Sequence, residues 1–150
     1  MIPFRRILVP VDGSATSNHA LSVALEMARA ADGRVRLVHF VDPLDFVTGF
    51  EGSSEIFTML REGAARVLQQ VADSVKSAGV PVETHLAERP GDRLGVVIAR
   101  EAKAWNADLV VLGTHGRRGM QRALLGSGAE QIIRLAPVPV LVIRGDEDGA

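Results

Sequence analysis

Five short apolar runs, each parted from the next by a stretch of helical period, constrain the fold of this 150-residue chain more than any other feature. Arg5 to Val11 is a β-branched apolar run that ends in the turn residues Asp12-Gly13-Ser14, which predicts a buried first strand. The period then changes. Leu21, Ala24, Leu25 and Ala28 recur at helical spacing, with Ser14 or Ser17 able to cap the start and Asp32-Gly33 able to stop it. A second strand is predicted over Arg34 to Val41, ended by Asp42-Pro43. From Ser54 the positions Ile56, Met59, Leu60, Ala64, Val67, Leu68, Val71 and Val75 predict a long amphipathic helix that stops before Gly79 and Pro81. Val82 to Leu86 reads as a third strand. The next helix carries Leu94, Val97, Ile98 and Ala102 on one face, with Asp92 as its cap and Gly95 costing it about 1 kcal/mol relative to alanine. Leu109 to Leu112, Ser127 to Leu135 and Val138 to Ile143 complete the series as strand, helix and strand.

Crossovers of this length place helices over a sheet, and they make its strands parallel. The expectation is therefore an α/β domain: a doubly wound, five-stranded parallel sheet in the order 3-2-1-4-5 with helices on both faces. One domain over residues 1–145 and a frayed acidic tail over 146–150 account for the chain. Ligands of such sheets bind beyond the carboxyl ends of the strands, where the strand order reverses. The segments expected there are Pro10 to Ser14, Val41 to Pro43 and Gly113 to Ser127, and the long connection over residues 42–53 is of a length that often covers a ligand.

The last of these segments carries the most chemistry. The run Leu109 to Leu112 stops at Gly113, a loop with Gly116, Arg117, Arg118, Gly119 and Arg122 follows, and a helical pattern opens after Gly126 at Ser127. Glycines let main-chain N–H groups approach a ligand without a Cβ in the way, and the first turn of a helix offers unpaired donors and partial positive charge. Phosphate is the natural guest. The spacing Gly113-x2-Gly116-x9-Gly126-Ser127 is neither a Walker A sequence nor a dinucleotide GxGxxG.

Composition narrows the classes further. The chain has no cysteine, which removes disulfides and thiolate chemistry and fits a cytoplasmic location. Its longest apolar runs fall far short of the ~20 residues of a membrane span, and the amino terminus lacks the apolar core of an export signal. Seventeen basic against eighteen acidic side chains, one tryptophan and no tyrosine argue against nucleic acid or an anionic membrane as partner. His19, His39 and His85 lack metal-ligand spacing, and no paired-carboxylate, zinc or nucleophile-elbow pattern appears.

The pattern G-x2-G-x9-G-[ST] resembles the nucleotide-binding signature of the universal stress protein family. The likeness extends to the opening Arg6-Ile7-Leu8-Val9-Pro10-Val11-Asp12-Gly13-Ser14, to Ala107-Asp108-Leu109-Val110-Val111-Leu112-Gly113, and to the ending Ala136-Pro137-Val138-Pro139-Val140-Leu141-Val142. What the resemblance implies is a small cytoplasmic domain, usually dimeric, linked to stress survival, whose members with these glycines bind ATP, with or without Mg2+. It implies that Pro10, Val11 and Asp12 line the adenosine half and that Val41 holds adenine through its main chain. Gly113 and Gly116 would flank ribose and phosphates, and Gly126 with Ser127 would hold the phosphate tail. Leu112, Arg117 and Gly128 complete the candidate contacts. One departure stands out: Gly128 and Ala129 follow the glycine-serine pair where the family often has Val and then Ser or Thr, so one hydroxyl is missing.

Plainer readings exist for the same residues. Ser127-Gly128-Ala129-Glu130 can be a capping box, in which serine and glutamate satisfy the free N–H groups themselves and the Glu130 carboxylate opposes a phosphate. Asp12-Gly13 is ordinary turn chemistry, the glycines can serve loop geometry alone, and Arg117, Arg118 and Arg122 can be solvated charges or phosphate partners. His115 has no identifiable acidic partner, and no lysine or glutamine is placed for phosphoryl transfer, which favours a nucleotide binder or at most a slow ATPase. An adenine-nucleotide enzyme and a nucleotide-free dimeric scaffold remain as alternatives. As the last strand at a sheet edge, Val138 to Ile143 is expected to pair with a second copy in a homodimer, its reach limited by Pro137 and Pro139.

Overall fold

The structure, a computed structural model, describes residues 3–12, 15–41, 54–88, 92–114 and 125–144. In chain order these form β1 (Arg6–Pro10), α1 (Ala15–Ala31), β2 (Arg34–Val41), α2 (Ser54–Ser77), β3 (Val82–Glu88), α3 (Leu94–Trp105), β4 (Leu109–Gly113), α4 (Ser127–Leu135) and β5 (Val140–Ile143). All strand pairs are parallel, in the order β3-β2-β1-β4-β5. The fold class and the strand order are those expected from the alternation of periods. Residues 146–150, expected as a tail, lie outside the described residues.

Alternation along the strands divides the core into two layers. Ile7, Val9, Val35, Leu37, Leu109 and Val111 face α1 and α2, where Ala20, Ala24, Leu68, Ala72 and Val75 meet them. Leu8, Val38, Val110 and Leu112 face α3 and α4, which contribute Val97, Ile98, Ala102, Trp105, Ala129 and Ile132. β1 and β4 therefore bury both faces, and this is why they read as continuous apolar runs. β2 departs from that pattern at Arg36, which points into the second layer and is neutralised there by Glu83 at 3.1 Å and Glu101 at 3.3 Å. Glu101 also meets His85 at 3.1 Å, and Glu83 accepts the Trp105 indole N–H.

The element ends differ from the sequence reading for local reasons. β5 starts at Val140 rather than Val138, because Pro139 has no N–H to give; its carbonyl instead accepts from Val110. β3 runs on to Glu88, paired with Val41. Asp92 does not cap α3. Arg93 is the N-cap, without a side-chain bond, and Asp92 pairs with Arg100 at 2.9 Å instead. At the end of α1 the left-handed residue is Asp32 rather than Gly33. Gly33 is needed for close approach, since a Cβ there would stand 2.6 Å from the Arg5 carbonyl oxygen.

Gly95 is a similar case. Its cost to α3 as a helix residue is accompanied by a tertiary need: an added Cβ would lie 2.5 Å from Gln131 Cβ and 2.8 Å from the Gln131 carbonyl carbon. The crossing of α3 and α4 is set by this contact, and α4 carries the glycine-serine pair at its start.

Candidate functional site

The order reverses between β1 and β4, and their carboxyl ends are where a sheet of this topology offers its ligand crevice. Pro10 is the last residue of β1 and Val41 the last of β2. Pro10 pairs with Val38, so Val41 projects three residues, about 10 Å, beyond the last rung of β1. On the other side Leu8 pairs with Val110, and the same offset brings Gly113 level with Val11. Leu112 is buried toward α3 and α4, whereas Gly113 faces α1 so closely that an added Cβ would stand 2.5 Å from Thr16 Cγ2 and 3.0 Å from the Thr16 carbonyl oxygen. The start of α1 is thereby pressed against the end of β4.

Gly126, Ser127 and Gly128 are brought to the same edge by the backbone of Thr114. The Thr114 N–H donates to Ile143 at 2.9 Å, and its carbonyl accepts the Gly126 N–H at 2.8 Å, which ties the two ends of the glycine loop together. Gly126 is the N-cap of α4, in an extended conformation, and its carbonyl accepts from Glu130 at 3.0 Å. No capping box forms. Ser127 sits one residue inside the helix, exposed, and makes no cap hydrogen bond, because Gly126 occupies the capping position that the box would give to serine. The N–H groups of Ser127, Gly128 and Ala129 accordingly have no backbone acceptor among the described residues. Three donors at the head of a helix suit a phosphate group, although the exposed Glu130 carboxylate in the same turn subtracts from that field. Gly128 also packs against α3: a Cβ there would meet Leu94 Cδ2 at 2.7 Å, so the glycine accommodates Leu94.

Gly116 and Arg117, with His115, Arg118 and Arg122, lie outside the described residues. Of the remaining candidates, Pro10, Val11, Asp12, Val41, Leu112, Gly113, Gly126, Ser127 and Gly128 all stand at the carboxyl edge of β1, β2 and β4 or at the head of α4. Asp12 is half-buried, and its N–H donates to Ser17 Oγ at 3.2 Å. Sequence reasoning gave three residues here no part in the site, Ser17 being offered only as a possible cap of α1. Ser17, His39 and Thr114 are the buried polar side chains among the described residues, and all three belong to segments that frame this crevice. His39 was readable in principle, since period two puts it on the same face of β2 as Val35 and Leu37, toward α1 and α2. Two clefts elsewhere contain none of the candidate residues: one of about 410 Å³ between α1 and α2, and one of about 360 Å³ beside β3 and α3. Among the described residues no helix is long and apolar enough to cross a membrane.

A parallel sheet whose strand order reverses between β1 and β4, covered by helices on both faces, defines the class of doubly wound α/β proteins. Within that class the chain belongs to the universal stress protein family, whose profile matches residues 3–144. A universal stress protein of Methanocaldococcus jannaschii is 36% identical over 143 residues, covering 94% of this chain and 82% of its own. Among solved structures, a universal stress protein family member from Burkholderia pseudomallei superposes with a TM-score of 0.76 at 34% identity, covering 93% of this chain and 96% of its own. The universal stress protein from Archaeoglobus fulgidus in complex with dAMP gives 0.68 at 26% identity, covering 95% of this chain and 99% of that one.

Proposed function

We propose that this chain is an ATP-binding module of the cytoplasm, acting in the stress response through nucleotide-dependent conformation or partner binding. The observation that carries the proposal is the trio of N–H groups at Ser127, Gly128 and Ala129, left without backbone acceptors where Gly126 is tied to Thr114. Phosphates would be held there, with Gly113, Gly116 and Arg117 alongside. Adenosine would lie against Pro10, Val11, Asp12, Leu112 and the main chain of Val41. The dAMP complex of the Archaeoglobus fulgidus relative supports an adenine nucleotide as the ligand class. A triphosphate and an accompanying Mg2+ are the finer steps of the proposal.

The second part of the proposal is a homodimer through β5. Val140, Leu141, Val142 and Ile143 are all half-buried on this edge strand, and Ile133 and Leu135 of the adjacent α4 are 42% and 45% exposed. The opposite edge, β3, carries Glu83 and Glu88 in ion pairs, the kind of charged edge that resists pairing. A second copy of the apolar edge is the fitting partner for β5.

Gly126→Asp tests the nucleotide reading. Aspartate is a favoured N-cap residue, so the helix keeps its start while a carboxylate takes the amides that a phosphate would use. In calorimetric titration the variant should lose ATP affinity by roughly 10- to 100-fold, with wild-type protein releasing no phosphate on prolonged incubation. Undiminished ATP affinity in folded variant protein would remove this helix head from the site, and sustained phosphate release by the wild type would make the chain an ATPase instead.

A further inference from the structure

We infer that His39 is a positioning residue for the adenosine half of the site, an inference that rests on the nucleotide reading above. His39 is 9% exposed, and its Nδ1 lies 2.6 Å from the Val11 carbonyl oxygen. A carbonyl oxygen only accepts, so the nitrogen facing it carries the proton, and the contact selects the Nδ1–H tautomer. The Val11 carbonyl and the Asp12 N–H belong to one peptide group. The N–H side is held as well, by the Ser17 hydroxyl at 3.2 Å, and Ser17 is 5% exposed. Two buried side chains from different elements therefore grip the two ends of a single peptide plane.

The placement of this grip explains its effect. The Val11 N–H still follows the parallel ladder, donating to the Val38 carbonyl at 2.9 Å. In a continued ladder the Val11 carbonyl would next face the Phe40 amide. His39 takes that carbonyl instead, and β1 leaves the sheet at the residue where Asp12 must turn toward the crevice. Rotation of the plane would break both bonds and leave a buried carbonyl unpaired, so the direction of Asp12 is set by His39 and Ser17 together. Burying two polar side chains on one peptide is costly unless both find partners, and here each is the other's complement across the same plane.

Binding of adenosine, of ATP and of inorganic tripolyphosphate separates this role from a general structural one. His39→Leu removes the donor at similar bulk. It should weaken adenosine and ATP roughly tenfold while tripolyphosphate, which has no adenosine to seat beside Asp12, changes less than about twofold. His39→Asn places an amide N–H near the position of Nδ1 and should restore adenosine affinity to within about threefold of wild type. Ser17→Ala, from the other side of the plane, should reproduce the selective loss even if His39→Leu does not fold. Equal loss of adenosine and tripolyphosphate, unchanged adenosine affinity, or identical behaviour of the Leu and Asn variants would overturn the positioning role. Wild-type protein that binds neither adenosine nor ATP would overturn the nucleotide reading first, and the role of His39 with it.

Discussion

Gly95→Ala puts opposite signs on local and tertiary effects. As a helix residue, alanine is better than glycine by at most about 1 kcal/mol, so a reading confined to α3 expects stabilisation. The structure reverses that expectation. The new Cβ would meet Gln131 at Cβ, at the carbonyl carbon and at the carbonyl oxygen, at 2.5, 2.8 and 2.9 Å, and none of these atoms can rotate away. Reaching an ordinary contact of 3.4 Å requires α3 and α4 to part by roughly 1 Å, which also stretches the 3.2 Å bond from the Gly95 N–H to Gln131 Oε1. Overpacking of this kind costs about 1–3 kcal/mol, and contacts with backbone fall toward the upper end. The net expectation is a loss of about 1–2 kcal/mol, or a fall in Tm of roughly 2–8 °C for a chain of this length. Urea and thermal unfolding would measure it. Because the displaced helix carries Gly126 to Gly128, ATP affinity should fall more than adenosine affinity in the same variant. Unfolding at equal or higher urea than wild type would refute the packing argument and leave Gly95 as an ordinary helix glycine.

Two further expectations concern the site and the edge. Ser127→Ala should weaken ATP more than adenosine and change stability by less than about 0.5 kcal/mol, because Gly126 rather than Ser127 holds the capping position; a loss near 1 kcal/mol in urea unfolding would restore the capping-box reading. Val142→Lys should convert a dimer to monomer in analytical ultracentrifugation without unfolding the chain, since Val142 is half-buried on β5; a dimer that survives the charge would move the interface elsewhere.

The parallel sheet and its order were legible because they depend on period alone. Strands buried on both faces, β1 and β4, announce themselves as unbroken apolar runs, and helices such as α2 by a stripe at i, i+3 and i+4. What the sequence hid depends on a single dihedral angle or on distant contacts. The start of α4 turned on whether Gly126 or Ser127 takes the extended conformation, and no pattern of residue types distinguishes the two. The importance of Gly95 lies in Gln131, thirty-six positions away and on another helix. His39 could be placed on the face of Val35 and Leu37 by counting, yet its partner, the Val11 carbonyl, is a main-chain atom that carries no sequence signature. The candidate site was thus readable as a set of segments, while the side chains that brace those segments became visible only once β1, β2 and α1 were assembled.

On the reading proposed above, main-chain amides at the head of α4 receive the phosphates of a nucleotide. Proton–nitrogen correlation spectra recorded during titration with ATP, and separately with adenosine, test it most directly. The amide resonances of Ser127, Gly128 and Ala129 should shift strongly with ATP and little with adenosine, while those of Val11 and Asp12 should respond to both. Amides at 127–129 that stay in place at saturating ATP, with shifts confined to other parts of the chain, would contradict it.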